Sequence, residues 1–441
     1  MVADYVVRPD ALLSPQLRET PAQPAVAVRG GRFAWVGPAA ELPAEYADAP
    51  QHRVPGVMTP GLVNAHTHLQ YTGFAEVAGT AYAGFEDWSE AFEARYELVA
   101  DPSEWRAAAL AGARLGVAAG TTAFSDIVTD DSARGAVASV GADGIEFLEV
   151  IAELESSWHA GGRDRFLERV AAAAPAVEVG VSPHAPYSVD PEVTRELCRF
   201  ARDAGLRIHS HVAESALERA LYVDGKPGVL AIYGAMRAEF ALVRSGGAGC
   251  GTGAFSDSIE LLGSSTHVAH GIYFDQEERA LLRRRETSVA LCPRSNAVIG
   301  LDEAPIAAYL REGNRLAIGT DSLASSPSLD VLADAAAAVR IARRQGYRDP
   351  DLLVRVFEAA TLGGAVALGH GGRDGYGAIA VGRAANFAVF RAEPGIAPLE
   401  QLLEEDQHDC ALTVIRGEPV HADEGFGELF GPTVRERRPA R

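Results

Sequence analysis

The sequence predicts an α/β protein: a (β/α)8 TIM-like barrel carrying a small composite β-sandwich domain built from both termini. Three observations carry that expectation. Strand-like and helix-like segments alternate through the middle of the chain, short strand-like runs occupy both ends, and metal-ligating side chains recur at one end of successive strands. Residues 1–57 and 380–441 are expected to form the composite β-domain, and 58–379 the barrel.

At the N-terminal end, Tyr5-Val6-Val7, Ala25–Val28 and Arg32–Gly37 read as strands, the last two joined by a Gly30-Gly31 hairpin turn. Ala388-Val389-Phe390 and Leu412–Ile415, followed by the turn residues Arg416-Gly417-Glu418-Pro419, supply strands at the other end. Neither set alone makes a sheet with a buried face, so pairing the two is the economical solution. Between them, helix Ser103–Ala118 leads through Gly120 to strand Thr121–Ser125, and strand Ile145–Ile151 to helix Arg163–Ala173. Strand Val177–Val181 precedes helix Pro191–Asp203 and strand Arg207–His211. Thr266–Ala269, Ser288–Leu291 and Arg315–Ile318 continue the alternation. About eight repeats over about 300 residues suit a closed parallel barrel. An open doubly wound sheet is the competitor, but no Gly-x-Gly-x-x-Gly follows the first strand. The Gly-rich run Ser245–Gly253 follows an expected helix, Met236–Arg244, and reads as a flexible loop or lid rather than a phosphate cradle.

Composition narrows the function classes. A formal net charge of −20 and a pI near 5.1 leave no basic stripe for nucleic acid. No apolar run reaches the roughly 18 residues of a membrane span, and Met1–Asp10 lacks the form of a signal peptide. Cys198, Cys250, Cys292 and Cys410 show no Cys-x-x-Cys spacing, which fits free thiols in a reducing cytoplasm. A small-molecule substrate, without nucleic acid or membrane, is the expected partner.

The chemistry collects at strand ends. In Asn64-Ala65-His66-Thr67-His68 two histidines one residue apart leave a strand on the same side, half of a metal site. Later strands end in Ser182-Pro183-His184, in His209-Ser210-His211 with Glu214 three residues on, and in His270. The next two run into Cys292-Pro293-Arg294-Ser295-Asn296 and Gly319-Thr320-Asp321-Ser322. Any one of these could be a capping or hydrogen-bonding residue. Their recurrence at the same end of the strands points to a single polar site.

With these motifs the chain resembles the amidohydrolase superfamily, in the branch of cytosine-, guanine- and adenosine-type deaminases and triazine chlorohydrolases. The resemblance rests on Pro-Gly-x-x-Asn-x-His-x-His, Ser-Pro-His-Ala-Pro-Tyr, His-x-x-Glu, Ala-His-Gly, Cys-Pro-x-Ser-Asn and Gly-Thr-Asp-Ser. It departs at Ala384-Ala385-Asn386-Phe387, where the family usually has Ala-Asp-Leu. The resemblance implies that His66, His68, His211 and Asp321 bind one divalent metal ion, Zn²⁺ or alternatively Fe²⁺. His211 is preferred to His209 because Glu214 lies at the His-x-x-Glu offset. Members with two metals bridge them through a carboxylated lysine on a barrel strand. The only lysine here, Lys226, falls in the turn Asp224-Gly225-Lys226-Pro227, so a one-metal centre is expected. Homodimers are common in the branch, though nothing in this sequence requires one.

The implied chemistry is attack by a metal-activated water, with Asp321 and His270 accepting its proton and Glu214 protonating a ring nitrogen beside the attacked carbon. Deamination and displacement of chloride from a triazine both remain open on these residues. His184, and Trp88 after the first barrel strand, resemble substrate contacts of the adenosine-type members, and Asn296 is a third candidate contact. They favour an N6-amino purine nucleoside: S-adenosylhomocysteine, methylthioadenosine, adenosine, or the 6-amino-6-deoxyfutalosine of the alternative menaquinone pathway. The last is favoured because Ser156 and Arg163 could receive its benzoate carboxylate.

Overall fold

The computed structural model describes residues 4–15, 21–173, 177–392 and 397–427. Residues 428–441 of the expected terminal unit, with 1–3, 16–20 and 393–396, lie outside the described residues. The N-terminal strands are β1 (Tyr5–Leu12), β2 (Pro24–Arg29), β3 (Arg32–Pro38) and β4 (Gln51–Pro60). Eight parallel strands follow: β5 (Leu62–Thr67), β6 (Thr121–Val128), β7 (Asp143–Val150), β8 (Glu178–Pro183), β9 (Ile208–Val212), β10 (Thr266–His270), β11 (Ser288–Leu291) and β12 (Leu316–Ile318). The chain returns through β13 (Phe387–Phe390), β14 (Cys410–Ile415) and β15 (Glu418–Ala422).

The first four and last three strands form one sheet in the order β15-β14-β13-β4-β1-β2-β3. It curls until its edge strand β3 reaches the start of β13: Phe33 of β3 packs 6.3 Å from Phe387 of β13, and the Phe33 amide donates to the Arg383 carbonyl. Alternation sends Tyr5, Val7, Val26, Val28, Met58 and Leu412 into the core between the two halves. The other face turns Ala388, Phe390 and Cys410 towards the barrel core. β4 reaches Pro60, past the boundary expected at 57, because β13 pairs with it as far as that residue.

The barrel strands run in sequence order, each beside its predecessor. Helices outside them show why these segments are helical. In Pro102–Ala118, Asp101 caps the Ser103 amide, proline takes the first turn, and Trp105, Ala109, Gly112, Ala113 and Gly116 make one buried stripe. Pro191–Asp203 likewise buries Val193, Leu197, Cys198 and Ala201 at helical spacing. Among the described residues no helix is long and apolar enough to cross a membrane.

The seam between β12 and β5 closes through one side chain. The Asn64 amide donates to Thr320 Oγ1 at 2.8 Å, and its oxygen accepts the Thr320 amide at 3.1 Å. The Thr320 and Asp321 amides then reach the His66 carbonyl at 3.1 and 2.9 Å. A Cβ at Gly319 would lie 2.7 Å from that of His66, so only glycine allows this approach. Asn64→Ala orphans buried groups on both sides of the seam and is expected to cost about 2–3 kcal/mol of stability. Chemical denaturation with the slope held common to both proteins measures this.

Two expectations are corrected. The helix expected over Met236–Arg244 is a tight 3₁₀ run, Gly228–Ala238, broken at Gly234 (φ 53°), and a separate short helix, Ala241–Ser245. Phe240, extended at φ −59° and ψ 135°, separates them. The strand expected to run through Ile151 ends at Val150, because Ala152 turns the chain with φ 54°.

Candidate active site

Seven of the twelve histidines, 66, 68, 184, 209, 211, 267 and 270, lie on the barrel strands or immediately after them. His66 and His68 share a face of β5, as the two-residue period requires. His68 Nε2 lies 3.1 Å from His211 Nε2, and Asp321 Oδ1 lies 3.5 and 3.8 Å from the Nε2 atoms of His66 and His68. His66, His68 and His211 form one cluster with metal-ligand spacing, and His66, His270 and Asp321 another. Both His66 ring nitrogens are buried without a hydrogen-bond partner, and the one that faces the cluster, Nε2, can offer its lone pair to an ion.

The surroundings orient these donors. His211 Nδ1 donates to the His184 carbonyl at 2.8 Å, leaving Nε2 as the electron-pair donor. Asp321 Oδ2 accepts from Ser295 and Ser325 hydroxyls at 2.7 and 3.0 Å, and Oδ1 from the Ser322 amide at 2.7 Å. Asp321 and His270 both have left-handed backbones (φ 60° and 70°), a local strain held by the surrounding hydrogen bonds. Burial holds His66 below its ordinary pKa, His68 down to about 3 and His211 well below. These imidazoles are therefore neutral, the form a metal requires. Burial would raise Asp321, but the close approach of the His66 ring and the charge on His270 hold its pKa well below the ordinary carboxylate value.

His209 occupies a lower layer. Its ring stacks on His66 at 4.8 Å and 6°, with Nδ1 beside Ser182 Oγ at 3.2 Å, and it belongs to neither cluster. His267 lies in the same layer, 4.9 Å from His209, with Nε2 near Ser125 Oγ and the Ala65 carbonyl. Lys226 is at the surface, 70% exposed and paired with Asp224 at 2.9 Å, so no lysine reaches the barrel interior.

Beside the cluster, Glu214 Oε1 lies 3.4 Å from His270 Nε2. The turn carrying Glu214 is fixed by Glu218, whose carboxylate accepts the amides of Ala213, Glu214 and Ser215 at 3.0, 2.7 and 3.0 Å. Burial raises the Glu214 pKa against the pull of His270, so the carboxyl holds its proton more strongly than an exposed one. Burial opposes charge on His270, yet Glu214, Asp321 and Asn296 together raise it above the ordinary value. The pair is suited to passing a proton.

Asn296 does not reach the cavity; its Oδ1 accepts from His270 Nδ1 at 3.0 Å. Asn296→Ala should lower kcat about 10-fold through misplacement of His270. It should also move the His270 limb of the pH–rate profile to lower pH, since a bond that raises its pKa is lost. A pH profile that keeps its shape contradicts this role.

The cluster opens into a partly open cavity, lined on the metal side by His68, His184, His211, Glu214 and Asp321. Trp88 lines it as expected, its Nε1 donating to the Ala324 carbonyl at 3.0 Å. His184 lines it too, with Nδ1 2.6 Å from Ser188 Oγ. Ser156 and Arg163 do not line it. The turn at Ala152 sends that loop outward, leaving Ser156 exposed and Arg163 on the outer surface, 3.7 Å from Glu196. Glu149, Glu218, Ser295 and Ser325 were missed by sequence reasoning. Ser295 lies in the Cys-Pro-x-Ser-Asn motif, and Glu218 left a local signal as the fourth residue of the capping pattern Ser215-Ala216-Leu217-Glu218.

Known proteins share the family and the fold of this chain. A 5-methylthioadenosine/S-adenosylhomocysteine deaminase of Desulforudis audaxviator is 28% identical over 382 residues, 85% of this chain and 82% of the relative. An adenosine deaminase of Xanthomonas campestris with bound zinc superposes with a TM-score of 0.77 at 24% identity, covering 95% of this chain and 92% of the other. The aminofutalosine deaminase of Helicobacter pylori gives 0.79 at 17%, covering 95% and 100%. Residues 25–49 match the bacterial imidazolonepropionase-like composite domain. Residues 57–420 match the amidohydrolase family, and the chain belongs to that family of hydrolases.

Proposed function

We propose that this chain hydrolytically deaminates a 6-aminopurine nucleoside of the adenosine and methylthioadenosine class, with one divalent ion held by His66, His68, His211 and Asp321. The observation that carries the reading is the Glu214–His270 pair beside those four donors, at a cavity walled by aromatic rings. Three imidazoles and a carboxylate suit Zn²⁺, with Fe²⁺ the alternative. When bound, the ion supplies Lewis-acid activation of water at neutral pH.

The chain's own residues do the rest. Glu214, whose pKa burial raises, delivers a proton to the ring nitrogen next to the carbon bearing the amino group, making that carbon electrophilic. His270 takes a proton from the attacking water, with Asn296 fixing its ring. The departing amine leaves as ammonia after receiving a proton from the same pair. His184 and Trp88 position the base and its substituent at the cavity wall.

The Desulforudis relative supports the nucleoside class by its own named substrates. Aminodeoxyfutalosine is not carried forward as the substrate, because Ser156 and Arg163, the residues meant to receive its benzoate, lie outside the cavity. The four cysteines are free, which supports a cytoplasmic location. Incubating the zinc-loaded enzyme with adenosine, methylthioadenosine, guanine and atrazine tests the reaction. Ammonia release and the purine ultraviolet change are expected with the nucleosides. Turnover of guanine or atrazine alone would contradict the reading.

A further inference from the structure

Two neighbouring side chains of one short helix, Pro293–Ile299, hold two different groups of the site. Ser295 Oγ donates to Asp321 Oδ2 at 2.7 Å, and Asn296 Oδ1 accepts from His270 Nδ1 at 3.0 Å. The placement of this helix therefore sets both a proposed metal ligand and the proton acceptor. No side chain of its own caps its start: Cys292 takes the cap position without a hydrogen bond, and Pro293 brings no amide. The first free amide, that of Arg294, donates instead to Asp334 Oδ1 at 3.0 Å, from the helix Val331–Arg344. Asp334 is fully buried, and among the described residues its Oδ2 has no hydrogen-bond partner. The Arg294 guanidinium approaches that oxygen only to 3.6 Å and donates to Ser328 Oγ at 2.9 Å. The helix carrying Asp334 is itself fixed at its first turn. Asp330 Oδ1 accepts the Leu332 and Ala333 amides, and its Oδ2 lies 2.7 Å from His408 Nδ1.

A carboxyl costs free energy to bury, and Asp334 does not line the cavity. Burial pushes its pKa up to about 8 against the pull of Arg294, so the position supplies a hydrogen-bond acceptor more than a charge. What that acceptor holds is the start of the helix bearing Ser295 and Asn296. We propose that Asp334 is a positioning residue: by capping the Arg294 amide from outside the cavity, it aligns Ser295 on Asp321 and Asn296 on His270. It thereby governs metal retention and proton transfer together, without touching substrate or ion. The proton-transfer half rests on the deaminase reading above, and the metal half rests only on the four donors.

Asp334→Leu fills the same space without the acceptor, and Asp334→Asn keeps an oxygen for the Arg294 amide. Zinc affinity is measured by chelator competition, and kcat and KM with adenosine at saturating zinc. Asp334→Leu is expected to weaken zinc binding and to lower kcat by about 10-fold each, with KM within about twofold of wild type. Asp334→Asn should restore zinc affinity and kcat to within about threefold of wild type. Asp334→Ala takes the place of the leucine variant if that one does not fold. In an Asn296→Ala background the change at 334 should lower kcat no more than about twofold further, because it acts through that side chain. A leucine variant with wild-type zinc affinity and kcat overturns the proposal, as does a kcat loss undiminished in the Asn296→Ala background. Equal losses in Asp334→Asn and Asp334→Leu also overturn it, since the amide keeps the acceptor. If the wild-type enzyme leaves adenosine and methylthioadenosine untouched, the deaminase reading falls, and zinc affinity alone then decides the role of Asp334.

Discussion

Glu214→Gln is expected to lower kcat by about 10²–10⁴-fold while leaving the metal content and the melting temperature close to wild type. The amide matches the carboxyl in shape and can still accept the Glu214-side hydrogen bond of a substrate, but it cannot deliver a proton. The backbone of the turn is held independently by Glu218, which collects three consecutive amides, so the substitution has little to disturb structurally. The loss should fall on kcat rather than KM, since the proton moves only as the tetrahedral centre forms. Because burial raises the Glu214 pKa, the alkaline limb of the wild-type profile reports its deprotonation, and that limb should disappear in the variant's residual activity. Steady-state kinetics across pH checks both. A variant that retains more than about a tenth of kcat would mean that the proton comes from elsewhere.

Removal of the metal has the second large effect: turnover falls to background, and the protein becomes less stable. His66, His68 and His211 present neutral nitrogens to one another across 5 Å ring separations, with His68 and His211 Nε2 atoms only 3.1 Å apart. Two lone pairs at that distance repel unless a cation or a proton lies between them, and burial disfavours the proton. An ion that binds only the folded chain stabilises it by about 4 kcal/mol when free metal exceeds its dissociation constant a thousandfold. Dialysis against a chelator should therefore lower the melting temperature by several degrees, and added Zn²⁺ should restore both stability and activity. A chelated enzyme with full activity, shown metal-free by elemental analysis, would rule out the metal's role.

How far the sequence reached depends on whether the signal was local. The histidine pairs of β5 and β9 were legible because a two-residue period fixes the side to which alternate side chains point, whatever surrounds them. His270 and Asp321 were legible because one ends a strand and the other follows a strand end in a regular βα alternation, although nothing local announced their left-handed backbones. His211 was preferred to His209 from the His-x-x-Glu offset to Glu214, and the structure stacks His209 on His66, outside both clusters of metal-ligand spacing. The Ser156 and Arg163 expectation failed because loop direction is set by one backbone dihedral at Ala152, and alanine gives no warning of a positive φ. Asn296 was read as a substrate contact when its partner is His270, since a polar residue after a strand end looks the same in either role. Glu149 passed unnoticed in Glu146-Phe147-Leu148-Glu149, where burial depends on neighbours distant in sequence.

Metal counting in ligand variants tests the centre most directly. Elemental analysis of protein purified without chelators should find one divalent ion per chain in the wild type and in His209→Asn, and essentially none in His211→Ala. Two ions per chain, or an ion kept by His211→Ala and lost from His209→Asn, would contradict a single site built from His66, His68, His211 and Asp321.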